Sequence, residues 1–184
     1  MRIGNIEIEN PVFLAPMAGV TDWAFRTVCA ELGAGVTVTE MVSSRALVYK
    51  DKKSAKLLRK NEGSVCGAQI FGNDPVTMGE AAKKAAETGC CAIDINMGCP
   101  APKIAGNHCG SALMREPDLC RDIVAAMVRE VDVPVTAKIR KGYDGNQVNA
   151  VEVAQAVEAG GAAAVTVHGR TRDQMYAPPV DIGC

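Results

Sequence analysis

Apolar residues fall into short runs along the chain. Each run is followed by a loop and then by a stretch in which apolar positions recur every three to four residues. The runs span 12–15, 36–39, 65–69, 92–95, 135–138 and 163–167. They are rich in β-branched residues and alternate little, the pattern of strands buried on both faces. The stretches between them carry helix signals. Asp22 is placed to cap a helix that turns Trp23, Val28, Cys29 and Leu32 inward and stops at Gly33. Asp74-Pro75 opens another helix and Gly89 closes it, with proline near the start and glycine past the end. Residues 117–131 put Leu119, Ile123, Met127 and Val131 on one stripe, and 148–159 runs into Gly160-Gly161. The segment 43–60 is polar and basic and reads as one or two short surface helices.

Strand and helix alternating in this way predict a parallel sheet. An open doubly wound sheet and a closed (β/α)8 TIM barrel both satisfy the pattern. The apolar runs end on Ala15-Pro16-Met17, Thr39-Glu40, Gln69, Asn96, Lys138 and His168. Polar residues spread over many strand ends suit a barrel, whose strand ends share one mouth. An open sheet gathers its site at one switch point, and no Gly-x-Gly-x-x-Gly follows the first run. The barrel is favoured. A full barrel takes roughly 250 residues. Residues 1–184 therefore read as one partial barrel domain of about six β/α units, lacking the last two strands.

Composition narrows the picture only slightly. A hydrophobic share of 48%, a charged share of 22% and a net charge of −1 describe a globular chain with no global basic signal for nucleic acid. No apolar run approaches the roughly 20 residues of a membrane span, and the N-terminus lacks a signal-peptide core. A soluble cytoplasmic protein is expected. Eight cysteines and two histidines show no zinc-ligand spacing, so no metal is expected. Cys29, Cys66, Cys90, Cys91 and Cys120 fall on apolar faces and read as buried thiols. Cys109 sits in a glycine-flanked loop and Cys184 is the last residue.

Cys99 is different. In "AIDINMGCPAPK" it lies past the end of a run, in a Gly–Pro turn. Gln69, Asn96, Lys138 and His168 on successive strand ends supply hydrogen-bond partners for a planar heterocycle. A flavin ring needs such donors, and a cation near its edge when reduced. In "APMAGVTD", Pro16 and Met17 can pack on a flat ring, and Ala18-Gly19 let the backbone come close. A thiol beside such a ring can be a nucleophile, a redox centre or a proton donor. No neighbouring base activates Cys99. A free thiol, with a pKa near 8.5, is mostly protonated at pH 7, which suits a general acid.

The elements "PMAGVTD", "GAQIFG", "DINMGCPAPK" with the later "GSALM", "AKIRKG" and "VHGRTR" occur in order over essentially the whole chain. In these the sequence resembles the tRNA-dihydrouridine synthases, the bacterial B-type most closely. The resemblance implies a flavin mononucleotide (FMN) enzyme whose flavin is reduced by NADPH. Hydride then passes to C6 of a tRNA uridine, and the cysteine matching Cys99 protonates C5. It implies FMN contacts from Pro16, Met17, Ala18, Gln69, Lys138 and His168. Asn96 and Arg140 would serve the substrate, and Arg170 would lend polar support. The target uridine must swing out of its stack to be reached. The family's last two strands, with phosphate-binding loops, and its C-terminal helical domain have no counterpart here. Weak FMN retention and poor activity by these 184 residues alone are therefore expected. Cys109 stands where the family tends to have alanine. Arg45, Lys50, Lys52, Lys53, Lys56, Arg59 and Lys60 form a solvated basic face or a contact for tRNA phosphates. Two other readings stay open: a flavin barrel acting on free pyrimidines, such as a dihydroorotate or dihydropyrimidine dehydrogenase, and an inactive truncated fragment.

Overall fold

The computed structural model describes residues 1–183. Its main sheet is parallel and curled, the six-strand arc of a (β/α) barrel with helices on its convex side. It is preceded by a small antiparallel hairpin, β1 (Arg2–Ile3) and β2 (Ile6–Glu7), which the apolar pattern does not predict. Gly4 makes the hairpin turn at φ +55°, and a Cβ there would run into the Pro134 ring. The hairpin therefore packs against the foot of the sheet and buries Ile8.

The sheet runs β3 (Phe13–Leu14), β4 (Val36–Val38), β6 (Val65–Phe71), β7 (Ala92–Met97), β8 (Val135–Gly142) and β9 (Ala164–Thr171) in sequence order. A two-residue strand, β5 (Val42–Ser43), adds to the upper part of β6. All these pairings are parallel. Each helix crosses back over the convex face, as parallel neighbours require. Four strands, β6 to β9, run two to four residues past the predicted ends. Asn96, Lys138 and His168 thus lie inside strands, Lys138 at the middle of β8 and the other two past the middle of theirs, rather than at the last residue. Ladder pairing with the neighbour carries each strand through polar positions that local hydropathy reads as a stop.

The core lies between the sheet and helices α4 (Pro75–Ala86) and α6 (Pro117–Val128). Ile93, Ile95 and Met97 of β7 and Ala137 and Ile139 of β8 meet Met78, Ala82, Ile123 and Met127 there, all fully buried. Each such side chain contributes roughly 1.5–3 kcal/mol by leaving water. Gly79 lets the two helices close up, since a Cβ would sit 3.2 Å from the Ala126 carbonyl oxygen. Asp74 caps α4 by accepting from Thr77 N at 2.8 Å, with Pro75 in its first turn. Helix α7 (Ala150–Ala159) packs on β8, β9 and α6. Segment 43–60 forms two short helices, α2 (Ser44–Val48) and α3 (Lys52–Leu57). The loop after β7 holds a further short helix, α5 (Pro102–Ala105), and a 3-10 turn over Gly110–Arg115.

Helix α1 (Trp23–Glu31) corrects one expectation. Trp23, Val28 and Leu32 face outward, Leu32 being 83% exposed, and Cys29 is only half-buried. The residue it buries is Arg26, at 1% exposure. The helix stands at the β3 edge and packs chiefly on β4. Its orientation is set by the guanidinium, which donates to Asn61 Oδ1 at 3.1 Å and to the Thr21 carbonyl at 2.7 Å. A third donor reaches the Arg59 carbonyl.

The seven described cysteines are free thiols, and Cys184 lies outside the described residues. Cys66, Cys90, Cys109 and Cys120 are buried, while Cys29, Cys91 and Cys99 are partly exposed. Burial, with Glu116 nearby, pushes the Cys120 thiol up to about 12. Among the described residues no helix is long and apolar enough to cross a membrane.

Candidate active site

Side chains two apart on a strand share a face. On the concave face β6 presents Gln69, β7 presents Asp94 and Asn96, β8 presents Thr136, Lys138 and Arg140, and β9 presents His168. Register turns these positions into neighbours. Gln69 pairs with Asp94, Asn96 with Lys138, and Arg140 with His168. The polar positions thus climb the sheet strand by strand. Below them the concave face is apolar. Ile6, Leu14, Val36, Val38 and Val65 line a cavity of about 160 Å³ that Pro16, Asp94 and Lys138 border.

Local hydropathy does not single out Asp94, although "AIDIN" places it two residues before Asn96. It is buried. It accepts from Gln69 Nε2 and from Thr136 Oγ1, both at 2.6 Å. Burial raises its carboxyl to about 6, against the pull of those donors and of Lys138. Burial likewise lowers the Lys138 ammonium, which Asp94 draws back up and Arg140 pushes further down. The Lys138 ammonium makes no side-chain hydrogen bond among the described residues and borders the cavity.

The chain of contacts continues upward. Asn96 Nδ2 donates to Gln69 Oε1 at 3.0 Å, and Asn96 Oδ1 accepts from the backbone amides of Gly98 at 3.2 Å and Cys99 at 2.9 Å. The Cys99 carbonyl accepts from Ser111 N at 3.0 Å. Gly110, at φ +58°, makes this approach possible, since a Cβ there would meet Cys99 at about its carbonyl oxygen, 2.9 Å away. Cys99 is therefore held from both sides, half-buried, over the C-terminal end of β7.

Arg140 is buried. Its Nε donates to the Gly98 carbonyl at 2.7 Å, and its Nη1 donates to the carbonyls of Thr171 and Met175 at 2.9 and 3.0 Å. It ties the Cys99 loop to the end of β9. His168 Nε2 lies 3.0 Å from Arg170 Nη1. Since arginine can only donate, Nε2 accepts and the ring proton sits on Nδ1. Burial, with the cations Arg140, Lys138 and Arg170 around it, lowers His168 to about 4. The ring is neutral at pH 7. Pro16 is half-buried at the cavity edge, whereas Met17 and Ala18 are exposed on the loop after β3. That loop is closed by Thr21 Oγ1, which accepts from Met17 N at 2.9 Å, and by Glu40, which accepts from Gly19 N. Among the described residues no cluster of His, Cys, Asp and Glu is arranged to hold a metal.

The Asp94 and His168 shifts oppose each other in one pH window. Asp94 rises from its ordinary 3.8 to about 6, so its contribution to stability is present below pH 3.8 and is lost as pH climbs through 6. His168 falls from 6.5 to about 4, so its contribution is present above pH 6.5 and is lost as pH drops through 4. Between those limits Asp94→Asn is expected to make the urea midpoint climb more steeply with pH than in the parent. His168→Asn is expected to turn the slope the other way. Parallel pH profiles for all three proteins would contradict both shifts.

The family model described as dihydrouridine synthase (Dus) matches residues 13–182. The chain is 48% identical over 177 residues to tRNA-dihydrouridine synthase B of Proteus vulgaris, covering 96% of this chain and 55% of that protein. It is 49% identical over 177 residues to the protein of the same name from Salmonella typhimurium, with the same coverage. The Pseudomonas aeruginosa counterpart is 48% identical, with 53% of its length covered. The chain thus spans about half the length of the curated relatives it matches. Among solved structures, histamine dehydrogenase from Rhizobium sp. 4-9 matches 86% of this chain and 34% of that one, at a TM-score of 0.61 and 16% identity. At that identity the likeness is one of fold.

Proposed function

Because the chain belongs to the dihydrouridine synthase family, we propose that it carries the flavin-facing, cysteine-bearing part of a cytoplasmic enzyme that reduces tRNA uridine to 5,6-dihydrouridine. The observation that carries this reading is the holding of Cys99 above the Gln69–Asp94–Lys138 group, by Asn96 Oδ1 on one side and Ser111 N on the other. The residues fit a flavin ring on their own chemistry. Among the described residues Lys138 is a half-buried ammonium without a side-chain hydrogen bond and Gln69 keeps one amide proton unspent, so the mouth offers donors to an electron-rich ring edge. Pro16, Met17 and Ala18 would form the wall against the flat face, and neutral His168 would offer Nδ1–H.

FMN, reduced by NADPH, would supply hydride to C6 of the uracil ring. Cys99 then gives its thiol proton to C5, and solvent returns a proton to the sulfur. The sum is uridine, NADPH and a proton going to dihydrouridine and NADP⁺. Asn96 and Arg140 act as supports: one holds the Cys99 amide, the other the Gly98 carbonyl. Arg140 spends Nε and Nη1 on three hydrogen bonds within the chain, and in this reading those bonds brace the loop beside the substrate.

The test is reduction of unmodified tRNA with NADPH and added FMN, with dihydrouridine read by mass spectrometry. Product in a version extended to the length of the relatives would support the reading. Flavin binding with turnover of free uracil or dihydroorotate, and none of tRNA, would replace it with a free-pyrimidine enzyme.

Lys52, Lys53 and Lys56 of α3 are exposed, as are the neighbouring Tyr49 and Lys50. Basic and aromatic side chains side by side suit a phosphate backbone and its bases. Reversing the three lysines to glutamate is expected to weaken tRNA binding by about tenfold and to flatten its salt slope by about one for each phosphate no longer neutralised. An unchanged slope would return these lysines to a plain solvated face.

A further inference from the structure

We infer that Asp94 is the positioning residue of this site: its carboxylate orients a hydrogen-bond chain through Gln69 and Asn96 that ends on the backbone amide of Cys99. The inference rests on the proposed role of Cys99 for its catalytic meaning, but not for its structural content.

Donors and acceptors fix the direction of this chain. An ionised carboxylate can only accept. The end of Gln69 that faces Asp94 must therefore be Nε2, as the 2.6 Å contact has it. That choice turns Gln69 Oε1 toward Asn96, which must present Nδ2, at 3.0 Å. Asn96 Oδ1 is then left to accept from the Gly98 and Cys99 amides at 3.2 and 2.9 Å. Had the two amides turned over, they could still pair with each other. Gln69 Oε1 would then face a carboxylate, and Asn96 Nδ2 would face two backbone N–H groups. Both ends of the chain reject that arrangement. Thr136 Oγ1 donates to the second Asp94 oxygen at 2.6 Å and holds the carboxylate in place. A backbone donor adds a further brace, since Gln69 N donates to Thr39 Oγ1 at 3.0 Å. Asp94 lies on the buried part of β7, and its carboxylate hydrogen-bonds to Gln69 and Thr136 rather than to Cys99, so its influence runs through the two amides.

The test is alkylation of the whole chain by iodoacetamide, resolved by peptide mass spectrometry. Cys99 is followed against half-exposed Cys29 and Cys91 and buried Cys66 and Cys120. Asp94→Ala and Asn96→Ala are each expected to speed alkylation of Cys99 by about tenfold, the loss of one well-made hydrogen-bond constraint. The double variant should be no faster than either, because both act on one chain. Asp94→Asn keeps the shape but removes the acceptor-only character, and about a threefold rise is expected. The reference cysteines should stay at parent rates. Parent-like Cys99 rates in both Asp94 variants, or effects that multiply in the double variant, would overturn the proposal. If Asp94→Ala exposes Cys66 and Cys120 as well, it has unfolded, and the Asp94→Asn pair with Asn96→Ala decides alone. None of these readings needs flavin or tRNA. Full tRNA reduction by a Cys99→Ala variant would instead sink the catalytic reading and leave the hydrogen-bond chain standing.

Discussion

Cys99→Ala, in a chain extended to the length of the relatives, is expected to lower dihydrouridine formation by about 10²–10⁴-fold, the usual contribution of one positioned general acid. The loss should fall on kcat. Cys99 is anchored through its backbone, to Asn96 Oδ1 and Ser111 N, so removing Sγ leaves the loop and its supports in place. The groups proposed to face the flavin, Gln69 and Lys138, are on other strands and stay where they are. Flavin affinity and the reduction of bound flavin by NADPH should therefore match the parent. Cys99→Ser keeps a proton but on a far weaker acid, so it should recover little. A separate measurement of flavin reduction and of tRNA reduction distinguishes the two half-reactions. An alanine variant with parent rates in both would remove Cys99 from the chemistry.

Arg26→Met is expected to cost about 3 kcal/mol of stability and to lower the melting temperature by about 10 °C. Methionine fills much of the same space. It leaves three acceptors, Asn61 Oδ1 and the carbonyls of Thr21 and Arg59, without the donors that now satisfy them. Buried unpaired acceptors cost about 1–3 kcal/mol each, partly offset here because no cation need be desolvated. Arg26→Lys should not restore the loss, since an ammonium cannot reach three acceptors spread in a plane. Urea unfolding read by circular dichroism checks this. A methionine variant within about 0.5 kcal/mol of the parent, the neutral range of surface changes, would show that the guanidinium is not what seats α1.

Helix α1 shows why part of the fold is legible in the sequence and part is not. Alternating apolar runs and capped helices are local signals. Asp74-Pro75 and the stripe of Ile123 and Met127 predict α4 and α6 within a turn of where they lie. The same kind of stripe on α1 predicts a buried Val28 and Leu32, and the structure exposes both. Periodicity says that a helix has two faces, but it cannot say that a buried arginine will choose between them. The β1–β2 hairpin and β5 escape the pattern because two-residue strands have too few positions to show a period. The strand ends fall short because pairing, not hydropathy, decides where a ladder stops.

The sequence by itself determined the order of strands and helices, the parallel sheet they form, and which residues share its concave face. That face follows from a period of two, so Asp94 and Asn96, or Lys138 and Arg140, share a side in any strand they form. The tertiary structure decided who meets whom. Gln69 lies beside Asp94, Asn96 beside Lys138, and Arg140 beside His168, because neighbouring strands are staggered, and stagger is a relation between segments far apart in the chain. Arg140 comes to lie between the Gly98 carbonyl and the end of β9, and Asp94 between Gln69 and Thr136, for that same reason. A side chain's partners depend on register, and no local pattern records it.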